Sequence, residues 1–226
     1  MLAKCYTSAL MGIDAYLVEV EVDISRGLPN FNIVGLPDTA VKEAKERITA
    51  AIKNSQFNFP MGRITINLAP ADIKKEGSSF DLPMAIGILK ATGAIRKNEL
   101  SSYIILGELA LDGGVRRING ALPMVLKAKE RKIKKIALPL ENAREASVIK
   151  EIEVYPLENL SQTVKFLNEE IIIEPYKCDI EEVLKENSSY EVDFSEVKGQ
   201  QHVKRAMEIA VSGGHNIFML GTQYDM

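Results

Sequence analysis

Tryptophan is absent from the 226 residues, and histidine (His202, His215) and cysteine (Cys5, Cys178) occur only twice each. The thiols lie near opposite ends with no metal-type spacing, so a zinc cage would have to gather nearly all four residues from distant points. Two unreactive thiols in a reducing compartment are expected. Also missing is any apolar run of the roughly eighteen residues that a membrane span requires. The start, MLAKCYTSALMGIDAY, interrupts with polar residues and a glycine the apolar stretch that a secretory signal would need. A cytoplasmic protein with no membrane partner is the expectation. No charge sign dominates: 28 Lys and Arg against 31 Asp and Glu give a net charge of −3. That excludes a general basic field for nucleic acid, so any DNA contact must be local.

What is present is globular. Hydrophobic residues make up 46% and charged residues 26%, which excludes bulk disorder, and the length predicts one sizeable core plus something incomplete. Alternation in 17–24 and 31–35, with Arg26-Gly27-Leu28-Pro29-Asn30 between them, predicts antiparallel strands. Asp38 predicts the cap of a helix over about 38–55, with Val41, Ala44, Ile48, Ala51 and Ile52 on its inner face. A strand over 63–68, an apolar helix over 81–92 and a strand over Tyr103–Leu109 follow. Then come helix 120–132, strand 136–138, helix 141–149, strand 152–155 and helix 159–168, an alternating α/β pattern. Acidic residues crowd about 174–194 and predict a linker. Beyond it, a helix over His202–Ser212 and an apolar strand Ile217–Leu220 end at Gly221, where a phosphate loop would begin; no second glycine and no lysine follow.

The loop Lys74-Lys75-Glu76-Gly77-Ser78-Ser79 is the most chemical-looking stretch. Backbone N–H groups, two hydroxyls and two cations before a helix suit an anion. Equally, Ser78 or Ser79 serves as a helix cap while the lysines are solvated. A nucleophilic serine is the third reading; no histidine precedes residue 202, so its base would be a lysine. Six of the nine residues 127–135 are basic, and Lys127, Lys129, Arg131 and Lys132 either touch phosphates or form a solvated face. The scattered aspartates assign no paired carboxylates and no metal site.

The runs Gly27–Asp38, Arg63–Asp72 and Lys74–Pro83, with Leu106-Gly107-Glu108-Leu109, Leu138-Pro139 and the Phe194–Gly221 segment, closely resemble the magnesium-chelatase-like AAA+ ATPases of bacteria, the YifB/ComM family. The resemblance covers nearly the whole chain. It implies an α/β (α+β-like) domain of the Lon-protease or ribosomal-protein type over 1–172, an acidic linker over 173–192 and the start of an AAA+ module over 193–226. The implied family function is a hexameric, ATP-driven helicase for DNA branch migration in recombination and competence, with ATP and Mg as cofactors of complete members. A metal-chelatase accessory ATPase is the alternative that the family's name suggests.

Aligned on the Lon-type pattern, Ser79 takes the nucleophile position and Leu122 the place of the dyad lysine. Peptidase chemistry would then require Lys127 or another lysine in a different geometry. Val197, Gly199, Gln200 and Gly221 match a partial nucleotide site, and Thr222–Met226 depart from the family's phosphate loop. The expectation is a chain that neither hydrolyses ATP nor needs a cofactor by itself, and that acts in binding or assembly. Lys74, Lys75, Lys127, Lys129, Arg131 and Lys132 are its candidate anion or DNA contacts.

Overall fold

The structure, a computed structural model, describes residues 2–96, 100–178 and 193–221. They fall into two compact units, Met1–Asp179 and Ile180–Met226.

In the first unit, β1 (Leu2–Met11) and β2 (Asp14–Ser25) form an antiparallel hairpin that turns at Gly12, which adopts a φ of 64°. β3 (Asn30–Val34) leads through α1 (Thr39–Asn54) to β4 (Arg63–Ala69), which pairs parallel to β3 and antiparallel to β2. The predicted cap is present: Asp38 Oδ1 accepts from the Val41 N–H at 2.8 Å. All five predicted inner residues of α1 are buried. α2 (Asp81–Ala91) precedes β5 (Tyr103–Ile105) and a small antiparallel ribbon of β6 (Glu108–Leu109) and β7 (Val115–Arg116). α3 (Ala121–Glu130), β8 (Lys135–Pro139), α4 (Leu140–Ala146), β9 (Glu153–Leu157) and α5 (Leu160–Leu167) complete the unit.

The main sheet has seven strands in the order β3-β4-β2-β1-β5-β8-β9, and its β1-β5-β8-β9 half is parallel. It is the mixed α/β architecture expected. Successive strand residues point to opposite faces. Ile104, Ile136, Leu138 and Val154 therefore join a core with α3 and α4, while Tyr103, Ile105, Ala137 and Leu157 join the core containing α1, α2 and α5. Burial on both faces suits parallel strands. Phe166 of α5 packs edge-on against Tyr103 at 5.9 Å and tilted, at 38°, against Tyr155 at 5.0 Å, locking the helix across β5 and β9. Cys5 is buried and donates its thiol to Pro83 O at 3.3 Å; burial pushes its pKa up to about 12, so it is the unreactive thiol expected.

Three expectations need correction. The strand expected over Tyr103–Leu109 is broken, because the backbone of Gly107 bonds to the loop before α2 instead of to a neighbouring strand: its N–H donates to Ser79 O and its carbonyl accepts from Leu82 N. Neither Ser78 nor Ser79 caps α2, whose N-cap position is Phe80 with no side-chain bond. Ile217–Leu220 forms no strand, since the described residues of the second unit offer it no pairing partner. That unit contains a short 3-10 turn (Phe194–Glu196) and α6 (Gln201–Gly213), which ends on Gly214 at a φ of 63°. The acidic linker falls largely on residues 179–192, outside the described residues. Before it the chain is still attached to the first unit at Tyr176, whose N–H donates to Val154 O at 2.8 Å. No helix among the described residues is long and apolar enough to cross a membrane.

The base of α2 is tied down by a buried ion pair. Arg47 of α1 donates to both oxygens of Asp81, from Nε at 2.6 Å and Nη2 at 3.0 Å, and to Ala40 O. The Asp81 side chain is 1% exposed and that of Arg47 is 23% exposed. Burial lifts the Asp81 carboxyl above its ordinary range, and Arg47, with the Leu109 N–H, offsets part of that cost. Because its folded pKa is raised, Asp81 favours folding most at low pH, and that contribution is lost as pH rises through the folded pKa. Arg47→Met removes the compensating cation and lifts that pKa further. The variant is expected to lose about 3 kcal/mol at neutral pH, the lower end for a broken buried pair because Arg47 is partly solvated. The loss should shrink towards pH 3, where the carboxyl is neutral in both states. Urea unfolding across pH checks this; a loss of equal size at both ends would contradict the ion-pair account.

Candidate functional site

The loop between β4 and α2 is built against the Gly35-Leu36-Pro37-Asp38 segment. Lys75 N donates to Leu36 O and Lys75 O accepts from Asp38 N, both at 3.0 Å. Gly35 is needed for this approach: at a φ of 97°, a Cβ there would sit 2.2 Å from Leu68 O. Tyr16 fastens the same loop by donating to Lys74 O at 3.0 Å. The two adjacent lysines then part company. Lys74 stays at the surface and pairs with Glu76 at 2.6 Å. Lys75, expected as an anion or DNA contact, is instead completely buried, its ammonium donating to Pro70 O and to Ile73 O at 2.7 Å. Burial lowers its pKa, and an external phosphate has no access to it.

Past Gly77, Ser78 donates its hydroxyl to Glu108 Oε2, while the other Glu108 oxygen lies 3.6 Å from Arg116. Ser79 is 8% exposed and its carbonyl accepts from Gly107. Both serines open onto a cleft of about 190 Å³, bounded by Leu10, Glu76, Gly77, Glu108, Arg117, Ile118, Asn119 and Met124. The lining contains neither lysine nor histidine. Lys127 faces Glu130 at 2.5 Å instead, and Leu122, which the resemblance aligns with the dyad lysine, is half-buried and donates its N–H to Glu145. The cleft can therefore hold a polar ligand with Arg117, Asn119 and two hydroxyls, but offers Ser79 no nitrogen base. Sequence reasoning missed the roles of Glu108 and Asn119, which reach the loop only through the β6-β7 ribbon and the turn before α3.

The other candidate cations are dispersed. Lys129 pairs with Glu151 at 2.9 Å. Lys132, at a φ of 60° just past α3, lines a shallow concavity of about 260 Å³ with Lys134, Lys135, Ser101 and Ser102, which Arg131 does not line. In the second unit, Gly199 and Gln200 both adopt left-handed backbone before α6, and Lys204 donates to Val197 O at 2.5 Å. Val197 and Gly221 are exposed, and Thr222–Met226 lie outside the described residues. No group of three or more His, Cys, Asp or Glu suited to a metal occurs among the described residues.

Comparison with known families finds one match within each of the two units. Residues 20–142 match the family described as Subunit ChlI of Mg-chelatase, and residues 193–223 match Magnesium chelatase, subunit ChlI. The chain belongs to this magnesium-chelatase-like family, with the competence protein ComM and the YifB proteins. It is 41% identical over 222 residues to Competence protein ComM of Haemophilus influenzae, covering 97% of this chain and 43% of the relative. It is 38% identical over 221 residues to YifB of Salmonella typhimurium, covering 97% and 42%. A more distant likeness, 25% over 173 residues, is to Lon protease 2 of Bacillus subtilis, covering 70% of this chain and 30% of the protease. The chain thus spans less than half the length of these relatives.

The parting of the two lysines can be measured. In brief acylation of the native protein by a soluble succinimidyl ester, read by peptide mass mapping, Lys74 is expected to be modified and Lys75 protected until denaturant is added. Equal labelling would place Lys75 at the surface.

Proposed function

We propose that this chain supplies the non-catalytic binding and assembly part of a magnesium-chelatase-like AAA+ ATPase that works in DNA branch migration during recombination and competence. The observation that carries this reading is the serine cleft: Ser79 stands at the nucleophile position of the Lon type, and neither lysine nor histidine lines the space around it. A hydroxyl without a base is a poor nucleophile at neutral pH. The identity of 41% to a competence protein supports the DNA-related role. A homohexameric assembly, a cytoplasmic location, ATP with Mg as the complete ATPase's cofactors, and DNA as its partner belong to the same proposal.

The likeness to Lon protease 2 favours one second reading, acyl transfer at Ser79. A fluorophosphonate probe separates the two. The chain is expected to show no labelling above a Ser79→Ala control and no ATP turnover above buffer, while retaining measurable binding to a labelled DNA junction. Labelling that disappears in Ser79→Ala would establish the peptidase reading in its place. Absence of any DNA binding would remove the branch-migration reading.

A further inference from the structure

A cavity with an aromatic floor lies away from the serine cleft. A groove of about 330 Å³ runs between α1 and the segment joining it to β4. Phe31 and Phe59, with ring centroids 6.3 Å apart, form its floor over buried Ile64, and Met61, 88% exposed, stands at its lip. Lys45 and Lys53 of α1 line the opposite wall, separated by about 12 Å along the helix. The Lys53 ammonium sits 5.9 Å from the Phe59 ring centre. Glu46 is the only carboxylate in the lining.

Aromatic faces interleaved with lysines are the chemistry that single-stranded nucleic acid meets: bases stack on rings while cations follow the phosphates. A duplex would present only its backbone to such a groove, and a protein ligand would not need the cationic rim. We propose that this groove is a contact for single-stranded DNA, with bases on Phe59 and Met61 and phosphates on Lys45 and Lys53. The inference deepens the DNA-acting reading above and rests on it. It moves the strand contact from the 127–132 run to α1 and the edge of the sheet. It also accounts for a chain of net charge −3 contacting DNA, because the positive charge is local.

The test is fluorescence anisotropy of the 226-residue chain with a labelled fifteen-nucleotide thymidine oligomer, titrated at several salt concentrations. Lys45→Gln with Lys53→Gln is expected to reduce the slope of log affinity against log salt by about 1.4, two phosphate contacts at about 0.7 each. Phe59→Leu should weaken binding roughly tenfold while Phe59→Tyr does not, as the loss of one stacked base requires. Glu46→Gln should tighten binding, because it removes the carboxylate that opposes a phosphate. Thermal unfolding reports whether Phe59→Leu still folds; if it does not, the exposed Lys45, Lys53 and Glu46 variants carry the test alone. Wild-type binding that all these variants leave unchanged would overturn the groove and leave the DNA reading intact. Wild-type protein that binds neither the oligomer nor a DNA junction would remove both. Displacement of the oligomer by equimolar ATP, or a preference for duplex of equal length, would overturn the single-strand assignment.

Discussion

The geometry of the serine cleft depends on one buried carboxylate. Asp81 begins α2 with its side chain 1% exposed, and it accepts from Arg47 of α1 and from the Leu109 N–H of β6. A carboxylate in that position is tolerable only if its lone pairs are occupied and its charge is met. Each group meeting that demand comes from a different element, so a single side chain fixes where α1, α2 and the β6-β7 ribbon stand relative to one another. The ribbon in turn delivers Glu108 to Ser78, and the Gly107 backbone holds both Ser79 and Leu82. Replacing the pair with apolar residues of similar volume would fill the space equally well. It would not specify which helix face meets which strand.

Much of the frame is legible in the sequence because its signals are local. The α1 helix shows its cap in Asp38 and its buried stripe in Val41, Ala44, Ile48, Ala51 and Ile52, all within one stretch of chain. The βα alternation of the second half is equally plain, whereas the two strands read at 17–24 and 31–35 give no sign that β4 lies between them. What eludes sequence reading is long-range pairing. Arg47 and Asp81 are 34 residues apart, and Ser78 and Glu108 are 30 apart. Nothing local in the Ser-Ser dipeptide announces that one hydroxyl turns to a distant carboxylate instead of capping α2. Gly107 looks like one residue of a strand, and only its bonds to the preceding loop show why the strand breaks there.

The adjacent lysines show how fine that limit is. Side by side in sequence, Lys74 and Lys75 look equally solvated, but the loop is extended where Lys75 bridges Pro37, and neighbours in extended backbone face opposite ways. One is then directed to water and the other inward. The partners that make the inward position bearable are backbone carbonyls at Pro70 and Ile73, which no composition or motif encodes. The one signal available beforehand was Gly35, whose freedom from a Cβ allows the close approach to Leu68 that brings its segment against the loop.

This arrangement bears on what the cleft can be for. The loop is held by Leu36 and Asp38 on one side, by Tyr16 at Lys74, by Lys75 from within and by Gly107 at its end. So many independent restraints reduce the entropy lost when a ligand settles there, which is how a preformed site gains affinity without new contacts. Catalysis at Ser79 would need a further group able to take the proton, and no lysine or histidine lines the cleft to do so. The carboxylate that does line it, Glu108, is already engaged by Ser78 and lies near Arg116, so it acts as a brace for the loop. A rigid serine loop with its one lining carboxylate engaged as a brace supports the binding reading proposed above, and acyl transfer at Ser79 would need a base from outside this lining.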